Sequence, residues 1–202
     1  MKKLLIGGCS FSEPKHGHGP WHPWTDQLVK EYSDEWEVSN TAQGSIGNAL
    51  ISQKIIDHIL RYDKPDLVII QWSAIGRAYS HNETDFIGRL LKEKDALQFA
   101  PHSGEYISQD DRSGWVTDVI NTISENFYQS SLVSMIGLQS FLNERQIPYI
   151  MFWGWCQFND ELKRKFEPYL RLLHNKRWWN PTGSMSSFVQ EKYGKKAIMG
   201  GG

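Results

Sequence analysis

A serine on a glycine turn is the sharpest candidate for chemistry in this chain: Leu4-Leu5-Ile6 runs directly into Gly7-Gly8-Cys9-Ser10-Phe11-Ser12. Small residues permit a tight turn after a strand, and such a turn places a hydroxyl at the carboxyl edge of a sheet, where it can attack an acyl carbon. Cys9 offers a second nucleophile, because a helix N-terminus lowers a thiol pKa; its other reading is a small apolar side chain facing away from the site. Downstream, His16, His18 and His22 sit in a Gly/Pro-rich loop with Trp21 and Trp24. That grouping could hold a transition metal or lend Ser10 a base, but exposed loop histidines without a metal are the expectation, and no cofactor is implied.

Two later stretches follow apolar runs in the same way. Asn40-Thr41-Ala42-Gln43-Gly44-Ser45-Ile46-Gly47-Asn48 reads either as a donor-bearing loop or as an ordinary strand-to-helix turn. Gln71-Trp72-Ser73-Ala74-Ile75-Gly76-Arg77 ends the Leu67–Ile70 run. Arg77 could clamp a carboxylate or phosphate bidentately, or form a structural ion pair. Trp153-Gly154-Trp155 closes a further apolar run at the same edge, so alternation would send one indole to a cleft and the other to the core.

Taken in order, these blocks resemble the SGNH (GDSL-type) serine hydrolases. Gly8-Cys9-Ser10 is similar to the family's Gly-Asp-Ser block with Cys for Asp, and Gly-Cys-Ser-Phe-Ser looks like a branch found among phage and bacterial proteins. The resemblance implies Ser10 as nucleophile and Gly44 as oxyanion-hole residue, with Gly47 the alternative if the register differs. The third block lacks the family's Asn, so Ser73 or Arg77 becomes the substitute oxyanion donor, and Arg77, Trp72 and Trp153 are expected on the substrate side. The fourth block, an Asp-x-x-His, is absent: His174 is the last histidine and has no Asp three residues before it. On this resemblance the chain is expected to be a C-terminally truncated piece whose activity is impaired for want of the His base.

Positioning such residues requires strands that alternate with helices. Leu4–Ile6, Leu67–Ile70 and Ile147–Trp153 are short apolar runs bounded by breakers, as strands buried on both faces of a parallel sheet are; Trp36–Ser39 and Lys196–Met199 are weaker candidates. Steps of three and four place Trp24, Leu28 and Tyr32 on one helix face and Ile51, Ile55 and Ile59 on another. A third helical pattern holds Ile120, Ile123 and Phe127 and, after a break, Leu132, Ile136 and Leu142. The expected fold is therefore α/β: a three-layer, flavodoxin-like domain over 1–202 with a parallel sheet of four to five strands and ligands at the strands' carboxyl ends. Residues 78–115 are rich in loop signals and would form an inserted lid or specificity region over the site.

Composition narrows the partners. Lys plus Arg number 22 against 23 Asp plus Glu, with no block of like charge, so an electrostatic nucleic-acid partner is not indicated. The apolar run after Met1-Lys2-Lys3 is too short for a signal peptide or a membrane span, which points to a cytoplasmic or virion-associated protein. Cys9 and Cys156 form no disulfide framework. Nine Trp could line a sugar- or acyl-binding cleft as well as fill a core, and Trp178-Trp179 reads as packing or an oligomer contact.

The expected function is thus an esterase or acetylesterase acting on small or carbohydrate-linked esters. The alternative is a non-catalytic glycan-binding or structural relative in a phage or cell-surface assembly. A phosphate binder using the Gly7–Ser10 turn ranks last, because neither nucleotide-binding glycine pattern is present.

Overall fold

Four strands pair into one sheet: β1 (Lys2–Gly7), β2 (Trp36–Asn40), β3 (Leu67–Trp72) and β4 (Tyr149–Trp153), all parallel, in the order β2-β1-β3-β4. The structure, a computed structural model, describes residues 1–14, 24–44, 46–73, 75, 114–154, 160–173, 176–179 and 183–193. Six helices complete the described chain: α1 (Trp24–Tyr32), α2 (Asn48–Arg61), α3 (Gly114–Glu144), α4 (Asp160–Lys165), α5 (Glu167–Leu173) and α6 (Met185–Tyr193). This is the expected α/β architecture, and its strand order is the flavodoxin-like one. Beyond β4, Met151 bridges in parallel to Trp178, so a single residue pair extends the sheet edge. The candidate strand at 196–199 lies outside the described residues.

The chain steps one way from β1 to β2 and the other way from β2 to β3 and β4. With right-handed crossovers this puts α1 on one face and α2 and α3 on the other. The second face carries the main core: Leu5, Val68, Ile70, Trp72, Met151 and Trp153 from the strands meet Ile51, Ile55 and Ile59 of α2. Leu132, Met135, Leu138 and Leu142 of α3, with Phe166 and Leu170, close it. On the first face, edge-to-face rings run Trp24–Phe152–Trp179–Phe188 at 5.7, 6.2 and 5.3 Å, tying α1, β4 and α6 together. Such pairs contribute about 0.5–1.5 kcal/mol each beyond area burial.

α3 runs unbroken where the spacing suggested two segments. Two of its serines are satisfied within the fold: Ser131 Oγ donates to the Ile75 carbonyl at 3.0 Å, and Ser134 Oγ to the Ser130 carbonyl at 2.8 Å. A side-chain bond back to the preceding turn lets serine sit inside a helix. The helix stops where Gln146 turns left-handed (φ 54°) and Ile147 N–H bonds the Leu142 carbonyl, which satisfies an end carbonyl that would otherwise be orphaned. No helix of the described residues is long and apolar enough to cross a membrane.

One titration bears on stability. His58, in the last turn of α2, packs at a tilt of 39° against Tyr62 with ring centroids 4.7 Å apart, and partial burial lowers its pKa from 6.5. The folded form then binds fewer protons than the unfolded form, so this contribution is complete above the ordinary imidazole range and falls away as pH drops below 6.5. We expect a small acid-side loss of thermal stability starting there and missing from His58→Gln, as read by melting temperature against pH. Identical profiles for the two proteins would remove His58 as its source.

Candidate active site

The carboxyl ends of β1 and β3 flank the point where the strand order reverses, the place where open α/β sheets bind ligands. Directly after β1 the chain makes one helix-like turn: the Cys9 carbonyl accepts Ser12 N–H at 2.9 Å and Glu13 N–H at 3.1 Å. The turn sorts its side chains sharply. Ser10 and Phe11 are exposed, whereas Cys9 and Ser12 are buried at 0%.

Burial settles the role of Cys9. Its Sγ accepts a bond from Gln71 Nε2 at 3.4 Å inside the core, so it packs there and presents no surface to solvent. Ser12 is likewise structural. Its Oγ donates to Gln71 Oε1 at 2.5 Å and accepts from Trp24 Nε1 at 3.1 Å, while Asn40 Nδ2 holds its carbonyl at 2.8 Å. Gln71, itself buried, thus grips both sides of Ser10 from the end of β3. A Cβ on Gly8 would lie 2.8 Å from Ser12 Oγ and 3.2 Å from the Gln71 carbonyl, which is why that position is glycine.

The loop after β2 closes over this turn. Gln43 N–H donates to the Gly8 carbonyl at 3.1 Å, Asn40 Oδ1 accepts Ala42 N–H at 2.9 Å, and Lys54 Nζ from α2 holds Gln43 Oε1 at 2.8 Å. These contacts bring Gly44 against Ser10: a Cβ on Gly44 would sit 3.7 Å from Ser10 Cβ. Among the described residues, the N–H groups of Ser10 and Gly44 have no acceptor, so two donors stand uncommitted beside an exposed hydroxyl. Gly47 has a different position, as the residue capping α2.

Ser73 joins the same edge through Asn48. Asn48 Oδ1 accepts Ser73 N–H at 2.9 Å and Nδ2 donates to the Ser73 carbonyl at 3.4 Å, with both residues buried. The Ser73 N–H is therefore spent, and only its hydroxyl could serve as a donor. Trp72 and Trp153 depart from expectation. Their indoles are 0% and 1% exposed inside the core, because the odd-numbered face of β4 and the even-numbered face of β3 both turn towards α2 and α3. Fully enclosed rings have no surface to offer a substrate. Arg77, Trp155, the three loop histidines and residues 78–113 lie outside the described residues, and Gly114 and Trp115 begin α3.

Sequence reasoning missed Glu13. Its half-buried carboxylate comes to 2.9 Å from where a Gly44 Cβ would be, and it has no hydrogen-bond or salt-bridge partner among the described residues. The available signal was its place three residues after Ser10 on one turn, which gives both the same face. Among the described residues no group of three His, Cys, Asp or Glu could hold a metal ion. Comparison with protein-family models and with curated proteins finds no match.

Proposed function

We propose that the chain is a serine ester hydrolase related to the SGNH (GDSL-type) enzymes, with Ser10 as its nucleophile. One observation carries the reading: Ser10 is an exposed serine of a turn at the switch point, with Gly44 beside it and the N–H groups of both without an acceptor among the described residues. A nucleophile with two backbone donors nearby suits acyl transfer, in which Oγ attacks the ester carbonyl and N–H groups take up the negative charge formed on oxygen. The substrates are small or carbohydrate-linked esters, with Arg77 a candidate for holding an anionic group.

Hydrolysis of p-nitrophenyl acetate by the chain and by its Ser10→Ala variant tests this. We expect the variant to lose roughly 100-fold or more of the rate, since nothing else on the turn can form the acyl intermediate. Equal rates would end the proposal and favour a binding role for the cleft.

A further inference from the structure

The site as described poses an electrostatic problem. A carboxylate beside Gly44 would repel an oxyanion forming there, and the repulsion grows as a bound substrate excludes water. The conflict disappears if the carboxylate gains a proton at the moment the oxyanion forms. We infer that Glu13 is the general base of Ser10, an inference that rests on the serine hydrolase reading above.

Three features support the assignment. Ser10 and Glu13 stand three apart on the turn closed by the Cys9 carbonyl, which gives them one face. Gly44 is their shared neighbour: a Cβ there would touch Glu13 Oε2 at 2.9 Å and lie 3.7 Å from Ser10 Cβ. The carboxylate is also unengaged among the described residues and ends a flexible side chain, so a change of rotamer or one bridging water would bring it to the hydroxyl.

The proton inventory closes. As Ser10 Oγ bonds the acyl carbon, its proton passes to the Glu13 carboxylate and the carbonyl π pair moves onto oxygen, so the site holds one negative charge before and after. The oxyanion then collapses, the bond to the alcohol oxygen breaks, and the departing oxygen takes the proton from Glu13. Water attacks the acyl-serine in the same manner. It gives its proton to Glu13, and Ser10 Oγ recovers that proton as the acid leaves.

The test uses a fluorophosphonate, which forms a covalent bond with an activated serine and is read by the mass of the peptide bearing Ser10. It is run on the full chain and on Glu13→Gln, Glu13→Ala and Ser10→Ala, each checked for an unchanged melting temperature. We expect Ser10 labelling to slow roughly 100-fold or more in Glu13→Gln, the scale of general-base catalysis, and added formate to restore labelling in Glu13→Ala by supplying the missing carboxylate. Labelling of Glu13→Gln within about threefold of the parent, far from that scale, overturns the assignment and leaves the Ser10 reading intact. A loss that formate does not repair makes Glu13 a support of the turn and also overturns it. If the parent chain shows no Ser10 labelling above the Ser10→Ala background, the hydrolase reading fails and this inference with it.

Discussion

Replacing Asn48 with alanine is expected to destabilise the fold by about 3–5 kcal/mol, because the carboxamide serves two buried backbone groups at once. Asn48 is 0% exposed and Ser73 1%. The Asn48 side chain accepts the Ser73 N–H at 2.9 Å and donates to the Ser73 carbonyl at 3.4 Å, so its loss strands a donor and an acceptor where β3 gives way to the site. Each buried orphan costs about 1–3 kcal/mol, and the vacated volume adds to that. Urea unfolding measures the change. The same geometry fixes two contrasts. Ser73→Ala keeps the clamp, which uses only the Ser73 backbone, and should cost no more than about 1 kcal/mol. Asn48→Asp keeps the acceptor but turns a buried charge towards the Ser73 carbonyl. Burial raises a carboxyl pKa, so that variant should be nearest to normal stability below the ordinary carboxyl range of about 4 and lose ground as pH rises. A cost below about 1 kcal/mol for Asn48→Ala would mean that the Ser73 backbone finds other partners and the clamp is incidental.

That clamp shows where the sequence is legible and where it is not. Strands were readable because Leu4–Ile6, Leu67–Ile70 and the run before Gly154 are apolar and bounded by breakers, and their alternation with helices left a parallel sheet as the way to bury every stripe. The same continuity hides orientation. In a run buried on both faces, nothing tells Trp72 or Trp153 which side to take, and both went to the core. Buried polar residues are harder still to read. Asn48 and Gln71 look like surface residues to any hydropathy pattern, and their value lies in partners 25 and 62 positions away in sequence. Glu13 was hidden for a related reason. A charge beside a Gly/Pro-rich loop reads as solvated, and only the approach of Gly44 gives it a neighbour.

The second large effect is expected at Gly154, immediately after β4. A Cβ there would fall on the Gln71 amide nitrogen, with Gln71 Cδ and the Trp72 carbonyl oxygen each 3.1 Å away. Gln71 cannot step aside without releasing Ser12 Oγ at 2.5 Å and Cys9 Sγ at 3.4 Å, and the Gly154 N–H is itself bonded to the Trp72 carbonyl at 2.9 Å. Overpacking of about 1–3 kcal/mol and broken buried hydrogen bonds of similar size combine, so Gly154→Ala should cost about 3–5 kcal/mol. Gly44→Ala is the instructive opposite. Its Cβ is crowded by the end of the Glu13 side chain alone, which can swing away, while Ser10 Cβ lies at an ordinary 3.7 Å, so stability should hold while the carboxylate is displaced. Shortening Gln71 tests the mechanism at Gly154. If the amide is what glycine accommodates, Gln71→Ala and Gly154→Ala together should cost less than the sum of the two single changes by at least about 1 kcal/mol in a double-mutant cycle. Strict additivity would place the strain on the Trp72 carbonyl. The distinction matters for Ser10, since only a displaced Gln71 releases Ser12 and loosens the turn that presents the Ser10 hydroxyl.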